Sequence, residues 1–325
     1  MKKVYTGVDV FKLLAAIGVV SIHTYFPFLE ILGRVGVPFF VIISSFLFFK
    51  KYYSLELSRR MKRLLRFEKR SFLLLLCWDV IYIPLSIKYI IQNVKLGSIR
   101  AVINFVIHYL VYPCPGAVNG WGASWYLISI LIAIPFFLLM KRYIKNNKII
   151  GFAVLLIEIY YISATEFFNY THLNNFGVFS FARILIYVFI GYLISEHYQL
   201  VMTCSIHKAF IFMFIMCILF LTENYFIYQM GGVINSEEVI TTVPTSVAVS
   251  TFSLKWEPKI RTINIRNYST FLYCIQDWII YLIWKFLTTN VYLSFILVLF
   301  LTLIIFKLYW LIRKNTNFKM LTYLV

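Results

Sequence analysis

Apolar segments near the length needed to cross a bilayer recur along the whole chain, separated by polar and mostly basic loops. A helix rises about 1.5 Å per residue, so roughly 18 or more apolar residues span the hydrocarbon layer. The pattern predicts an all-α, polytopic membrane protein with about ten transmembrane helices. The second and eighth are the shortest or most polar, and 101–112 fits an amphipathic or re-entrant segment. The predicted spans are 9–27, 34–49, 71–91, 123–140, 149–165, 178–195, 208–228, 238–254, 269–287 and 291–312.

The composition agrees with this class. Of the 325 residues, 61% are hydrophobic and 14% are charged, and the mean hydropathy of +0.82 exceeds that of soluble domains. We therefore expect residues 1–325 to form a single integral-membrane domain with no appended soluble domain. The first apolar run continues as a full span without a small-residue cleavage site, so a cleaved signal peptide is not expected.

The distribution of basic residues predicts the topology. Most of the 31 lysines and arginines lie at the two termini or in loops that share one side of the membrane if there are ten spans. Basic residues near spans are retained on the cytoplasmic side. Both termini are therefore predicted to be cytoplasmic, and the net charge of +18 reflects topology and contact with membrane lipid rather than binding to nucleic acid.

The sequence lacks the motifs of several classes of site. The five cysteines show no paired spacing of the kind that binds zinc, and no HExxH pattern occurs, so no protein-bound metal is predicted. A structural disulfide is not expected either. No glycine-rich phosphate or dinucleotide loop is present.

Two ionisable residues, Lys12 and His23, lie within the first apolar segment, where such side chains are costly unless they have a partner or a function. Their spacing of eleven residues places both on one helix face, about 16 Å apart along the axis. Asp9 falls within about 40° of the same stripe. The first helix is therefore predicted to form one wall of a polar site, although a histidine that only packs against a neighbouring helix remains an alternative.

The loop Lys50–Arg70 is strongly basic. Arg59, Lys62, Arg63 and Arg66 recur there at helical spacing, which predicts a cationic face able to bind phosphate groups. The alternative is a role in topology and in contact with anionic lipid, because basic cytoplasmic loops are common in membrane proteins.

In order and spacing, several segments resemble the membrane-integral acyltransferase family 3. They are GVDVFKLLAAIGVVSIH, RVGVPFFVIISSFLFFKK, RRMKRLL, SWYLISILIAIPFF and ARILIYVFIGYLI. The family opens with a basic residue ahead of a histidine in its first helix, which Lys12 and His23 match. It also carries an Arg-x-x-Arg motif in a cytoplasmic loop, which Arg60 and Arg63 match.

The resemblance implies O-acyl transfer, often of acetyl, from cytoplasmic acyl-coenzyme A to a hydroxyl of a cell-surface glycan or its lipid-linked precursor, at the plasma membrane. It implies that Arg60 and Arg63 bind the donor and that His23 acts as a general base or carries the acyl group. Lys12 would steady the donor or the polar path. Asp9 would pair with Lys12 one turn away.

The chain departs from the family pattern at particular positions. Lys12 stands where the family usually has arginine, which keeps the charge but not the planar fork. Phe67 replaces a proline after the arginine motif, and Gln276 stands where many members have a histidine in the ninth helix. We therefore expect His23 to be the one intramembrane histidine candidate.

Other polar residues within the predicted spans are expected to face the interior of the bundle. Arg183 is expected near the depth of His23, where it would bind a developing oxyanion or an acidic acceptor, or pair with Glu158. Pairing or interfacial exposure is expected for Asp79, Glu223, Asp277 and Lys285. In the outward loops 92–122 and 166–177, aromatic and amide residues fit acceptor contacts, although aromatic residues are common at membrane interfaces. In the first loop and at the start of the next span these are Tyr109, Tyr112, Asn119, Trp121 and Trp125.

A transporter or flippase of a polar or lipid-linked solute is the alternative function, because ten spans with buried charges suit it equally well. No internal repeat and no pair of broken helices in corresponding halves supports that alternative. A membrane sensor is a third interpretation, but no output domain accompanies it.

Overall fold

The computed structural model describes residues 4–93, 99–101, 103, 106–107, 121–163, 180–231, 239–260, 262–316 and 319–325. Every regular element in these ranges is helical. The helices are α1 (Thr6–Thr24), α2 (Leu29–Gly33), α3 (Gly36–Tyr53), α4 (Leu57–Asn93), α5 (Ser124–Tyr143), α6 (Asn147–Ile162), α7 (Ser180–Arg183), α8 (Leu185–Glu196), α9 (Tyr198–Thr203), α10 (Ile206–Gln229), α11 (Thr242–Lys255), α12 (Ile263–Phe286) and α13 (Val291–Asn315), followed by a 3₁₀ helix, Lys319–Tyr323.

Each of the ten predicted spans overlaps one of these helices, so the all-α prediction is confirmed for the described residues. Six segments of the described part are long and apolar enough to cross a membrane. The other four predicted spans correspond to the shorter or more polar helices α6, α8, α11 and α12. The number ten and the cytoplasmic termini stay predictions. The six segments are Thr6–Thr24, Leu29–Tyr53, Leu57–Ile87, Ser124–Tyr143, Ile206–Gln229 and Val291–Asn315.

Helices α1 and α12 pack side by side. Two polar contacts show that they run parallel, since residue numbers rise in the same direction along both helices from one contact to the other. Near the start of both helices, the Arg266 guanidinium donates to both carboxylate oxygens of Asp9, each at 2.8 Å. Further along, His23 lies beside Asp277. These two contacts set the register between the helices that carry the candidate site.

Helix α1 ends immediately after His23. Tyr25 adopts the left-handed conformation at φ 57°, and the Phe26 amide donates to the Ser21 carbonyl at 2.9 Å. This is a Schellman arrangement, which satisfies carbonyl groups at a helix end. The arrangement therefore places His23 in the last turn of α1.

Helix α3 is largely buried and packs on α8, α1 and α11. A side chain at Gly191 would come within 2.6 Å of the Ile42 carbonyl oxygen and of the Ser45 Cβ, so only glycine permits this approach. Aromatic rings extend this packing, because Phe49 of α3 lies against Tyr192 of α8 and Phe137 of α5, with ring centroids 5.6 and 5.2 Å away. This rigid core carries one wall of the cavities described next.

Candidate functional site

Three cavities follow one another along α1 and α12. The first, here called the basic cavity, has a volume of about 1000 Å³, and the second, the middle cavity, has about 180 Å³. They share Lys12, Ser44 and Arg70 in their walls. The third, the His23 cavity, has about 100 Å³. The site therefore extends along the axis of α1 rather than being confined to one depth.

The basic cavity concentrates positive charge. Among the described residues that line this cavity, one is acidic, Asp9. Its carboxylate forms an ion pair with Arg266. The cavity therefore has the charge to attract an anionic ligand such as a phosphate group. Its basic lining residues are Lys12, Lys51, Arg59, Lys62, Arg63, Arg66, Arg70 and Arg266.

The two arginines of the Arg-x-x-Arg motif point to different places. Arg63 lines the basic cavity, and its Nε is buried with no hydrogen-bond partner among the described residues. Arg60 is not among the described residues that line the three cavities. Its Nε donates to the Leu55 carbonyl at 3.1 Å, and its guanidinium carbon lies 5.2 Å from the Tyr53 ring centroid. The structure thus brings Arg63, and not Arg60, to the cavity.

The predicted pairing of Asp9 with Lys12 is corrected by the structure. Asp9 accepts two hydrogen bonds from Arg266 and a third from the Thr262 hydroxyl, at 2.7 Å. The planar guanidinium donates from two nitrogens to the two carboxylate oxygens, a paired geometry that the single nitrogen of an ammonium group does not offer. Lys12 instead lines both the basic and the middle cavity, between the arginines and His23.

His23 has a carboxylate neighbour that the sequence interpretation did not assign to it. Its Nδ1 lies 3.9 Å from Asp277 Oδ1, and Asp277 Oδ2 accepts a hydrogen bond from the Ala123 amide at 3.2 Å. A side chain on Gly122 would come within 3.3 Å of Asp277 Oδ2 and 3.4 Å of His23 Cε1. The start of α5 therefore holds the carboxylate while leaving room for the imidazole.

Gln276 does not take the place of a second histidine. Its side chain is fully buried, and its Nε2 donates to the Tyr273 carbonyl of its own helix at 3.1 Å. The neighbouring Asp277 is the residue that reaches His23. The sequence signal for it was a carboxylate in an apolar stretch, which is costly unless it has a partner.

The His23 cavity also contains the predicted Arg183 and Trp125, together with Arg34, which the sequence interpretation did not single out. The Arg183 guanidinium carbon lies 4.9 Å from the Trp125 ring centroid and 4.8 Å from that of Tyr161. Such stacking holds a guanidinium in a fixed orientation. Two arginines therefore lie in the same cavity wall as His23.

The remaining predicted residues lie elsewhere. Glu158 is buried and accepts a hydrogen bond from the Tyr187 hydroxyl at 3.5 Å. Trp121 is a core residue that stacks on Tyr82, with ring centroids 5.0 Å apart. Tyr109, Tyr112 and Asn119 fall outside the described residues, as does the loop 166–177 and most of 92–122. Within the described residues, no group of three or more His, Cys, Asp or Glu side chains is placed to hold a metal ion.

The comparisons with known proteins add a family. The model of the acyltransferase 3 family, described as an acyltransferase domain, matches residues 5–312. An amino-acid racemase from Enterococcus faecalis is 26% identical over 138 residues, which is 38% of this chain and 19% of that protein. The chain thus matches about a fifth of that relative's length. No solved structure matches the chain.

Proposed function

Because the chain belongs to the acyltransferase 3 family and is therefore a membrane acyltransferase, we propose that it transfers an acyl group, most simply acetyl, from cytoplasmic acyl-coenzyme A. The acceptor is a hydroxyl group of a cell-surface or lipid-linked glycan at the plasma membrane. The observation that carries the proposal is the order of the cavities, with a basic cavity at one end of α1 and a histidine–carboxylate pair at the other.

The basic cavity suits the donor. Coenzyme A carries phosphate groups, and guanidinium side chains bind phosphate through two parallel hydrogen bonds. Arg63 has a buried donor nitrogen without a partner among the described residues, so binding a phosphate oxygen would satisfy it. Lys12 lies about 16 Å from His23 along the axis, so the acyl-bearing arm of the donor would run past Lys12 toward His23.

In the first route, His23 is a general base. The acceptor hydroxyl oxygen attacks the thioester carbonyl carbon while His23 Nε2 takes the hydroxyl proton. The carbon–sulfur bond then breaks, and the coenzyme A thiolate leaves and receives a proton from the imidazolium. Asp277, beside Nδ1, holds the ring orientation and balances its positive charge, as carboxylates do in catalytic triads.

In the second route, His23 Nε2 attacks the thioester carbonyl carbon, the carbon–sulfur bond breaks, and the coenzyme A thiolate leaves. The acceptor hydroxyl oxygen then attacks the acyl carbon, the bond from that carbon to Nε2 breaks, and the hydroxyl proton passes to the thiolate. Asp277 has the same function in both routes, because each requires Nδ1 to remain protonated. Nε2 then faces the acceptor hydroxyl in the first route and the thioester carbonyl carbon in the second. The distance of 3.9 Å between Nδ1 and Oδ1 exceeds that of a hydrogen bond. A small rotation of either side chain on substrate binding would close it, as catalytic hydrogen bonds often tighten in the complex.

Arg34 and Arg183 support the acceptor side of this proposal. Both line the His23 cavity, and guanidinium groups stabilise the negative charge that develops on the carbonyl oxygen during acyl transfer. Trp125, in the same wall, offers an aromatic face for a sugar ring.

The test is release of free coenzyme A thiol from acetyl-coenzyme A by the purified full chain in detergent, with water as the acceptor. We expect turnover by the natural chain and a loss of about 10²- to 10⁴-fold in His23→Ala. His197→Ala is the matched control, because His197 is exposed and lies outside the three cavities. Undiminished release in His23→Ala would remove His23 from the mechanism. Solute flux without any acyl turnover would favour the transporter instead.

A further inference from the structure

Tyr273 of α12 lies at the boundary between the middle cavity and the His23 cavity. Within the described part of the chain, it is the one residue that lines both. Its side chain is 5% exposed, so the ring is enclosed by neighbours rather than free in either space. Any group that moves from Lys12 to His23 along the cavities must therefore pass this ring.

Two further rings fix the position of Tyr273. Phe40 and Tyr126, both in the wall of the middle cavity, pack edge to face on Tyr273 with centroids 5.5 and 5.8 Å away. The Tyr126 hydroxyl in turn lies 3.1 Å from the Ser44 hydroxyl. We call these three rings the aromatic partition. Edge-to-face packing of this kind holds each ring in place.

The hydroxyl of Tyr273 anchors the partition to the site. It donates to the Ala123 carbonyl at 3.0 Å, while the Ala123 amide donates to Asp277 Oδ2. Tyr273 and Asp277 are four residues apart on α12 and therefore lie on one face of it. The partition and the carboxylate beside His23 are thus held by the same short segment at the start of α5.

We propose that Tyr273 determines which acyl groups reach His23, admitting short chains and excluding longer ones. This inference rests on the proposed acyl transfer. The His23 cavity is small, about 100 Å³, and each additional methylene must displace either the Tyr273 ring or a packed neighbour. A short acyl group passes the edge of the ring, whereas a longer one leaves its tail between the rings.

The first test compares donors of increasing chain length, namely acetyl-, butyryl- and hexanoyl-coenzyme A, with thiol release as the readout. For the natural chain we expect kcat/KM to fall about tenfold or more per added methylene. Tyr273→Ala should largely remove this discrimination. Tyr273→Phe keeps the ring and should keep the chain-length profile, even if its rate is lower. An unchanged profile in Tyr273→Ala would overturn the proposal.

If Tyr273→Ala does not give a monodisperse protein, Phe40→Leu is the second variant to test. It replaces a neighbouring ring of the aromatic partition with a smaller side chain. It should shift the profile toward longer chains. Phe136→Leu is the matched control, because Phe136 is exposed and is not among the residues that line the three cavities. An unchanged profile in a well-folded Phe40→Leu would likewise count against the proposal.

A second readout requires no acyl chemistry. In a chain whose native cysteines are replaced by alanine, Val37→Cys reports on the His23 cavity. Ser44→Cys reports on the other side of the aromatic partition, where Ser44 lines both the middle and the basic cavity. A small impermeant thiol reagent is added on the membrane face from which it labels the Val37→Cys variant. The labelling rate of the Ser44→Cys variant should then be lower, and Tyr273→Ala should make the two rates equal. Equal labelling of the two variants with Tyr273 intact would refute the partition. A chain that shows the partition but turns over no acyl-coenzyme A would instead refute the proposed function.

Discussion

Asp277 lies 3.9 Å from His23 across two parallel helices, with its second oxygen held by the Ala123 amide. One oxygen is therefore fixed by the backbone while the other faces Nδ1. This division of contacts leaves Nε2 of His23 available to the cavity. It also separates the orienting function of Asp277 from the proton or acyl transfer at His23.

Asp277→Asn tests this orienting function. The amide oxygen can still accept from the Ala123 amide, but the side chain no longer balances the charge of an imidazolium. We expect kcat for thiol release to fall by about 10²-fold or more, with little change in the KM for the donor. Glu196→Gln, which changes an exposed carboxylate, is the control. If Asp277→Asn raised KM and left kcat intact, Asp277 would belong to donor binding.

Gly122→Ala tests how much space His23 and Asp277 require. The added methyl group would lie 3.3 Å from Asp277 Oδ2 and 3.4 Å from His23 Cε1, which is tighter than ordinary van der Waals contact. We expect a loss of activity of about tenfold or more, because small displacements of reacting groups are costly. The melting temperature should change little.

Gly151→Ala is the matched control for crowding alone. Its added methyl group would come within 3.1 Å of the Phe189 ring, away from the three cavities. Activity that fell equally in both variants would mean that crowding anywhere in the bundle, and not the geometry of His23, explains the loss.

The contact between Asp9 and Arg266 predicts a stability effect. Arg266→Gln removes charge-assisted hydrogen bonds and leaves the buried Asp9 carboxylate with Thr262 alone. We expect a loss of about 1.5–3 kcal/mol in the free energy of unfolding, measured by denaturation in detergent. Lys12→Met should not reproduce this loss, because Asp9 is bonded to Arg266 and Thr262. Equal destabilisation by both changes would restore the pairing of Asp9 with Lys12.

The sequence predicted the features that depend on local periodicity. Apolar length located the helices, and the eleven-residue spacing placed Lys12 and His23 on one face of α1. Both residues indeed lie in the walls of the row of cavities. These predictions succeed because helix geometry alone decides them.

Contacts between distant segments could not be predicted in the same way. Asp277 and His23 are separated by more than 250 residues, and only the parallel packing of α1 on α12 brings them together. For Asp9 the sequence suggested only Lys12, one turn away on the same helix, and the packing of α12 supplied Arg266 as the partner. Tyr273 carried no sequence signal, because an aromatic residue in a membrane helix is common.

Arg60 and Arg63 lie in different places, so their substitution should have different effects. The two residues are three positions apart in α4, which leaves their side chains about 60° apart around the helix axis. Arg63 therefore lines the basic cavity, while Arg60 donates a hydrogen bond to the Leu55 carbonyl in the turn between α3 and α4.

Arg63→Gln should raise the KM for acyl-coenzyme A about tenfold or more, because it removes charge-assisted hydrogen bonds to phosphate. The effect should shrink as salt rises. Arg60→Gln should instead lower the melting temperature with a smaller change in KM. Matching increases in KM for both variants would assign both arginines to the donor.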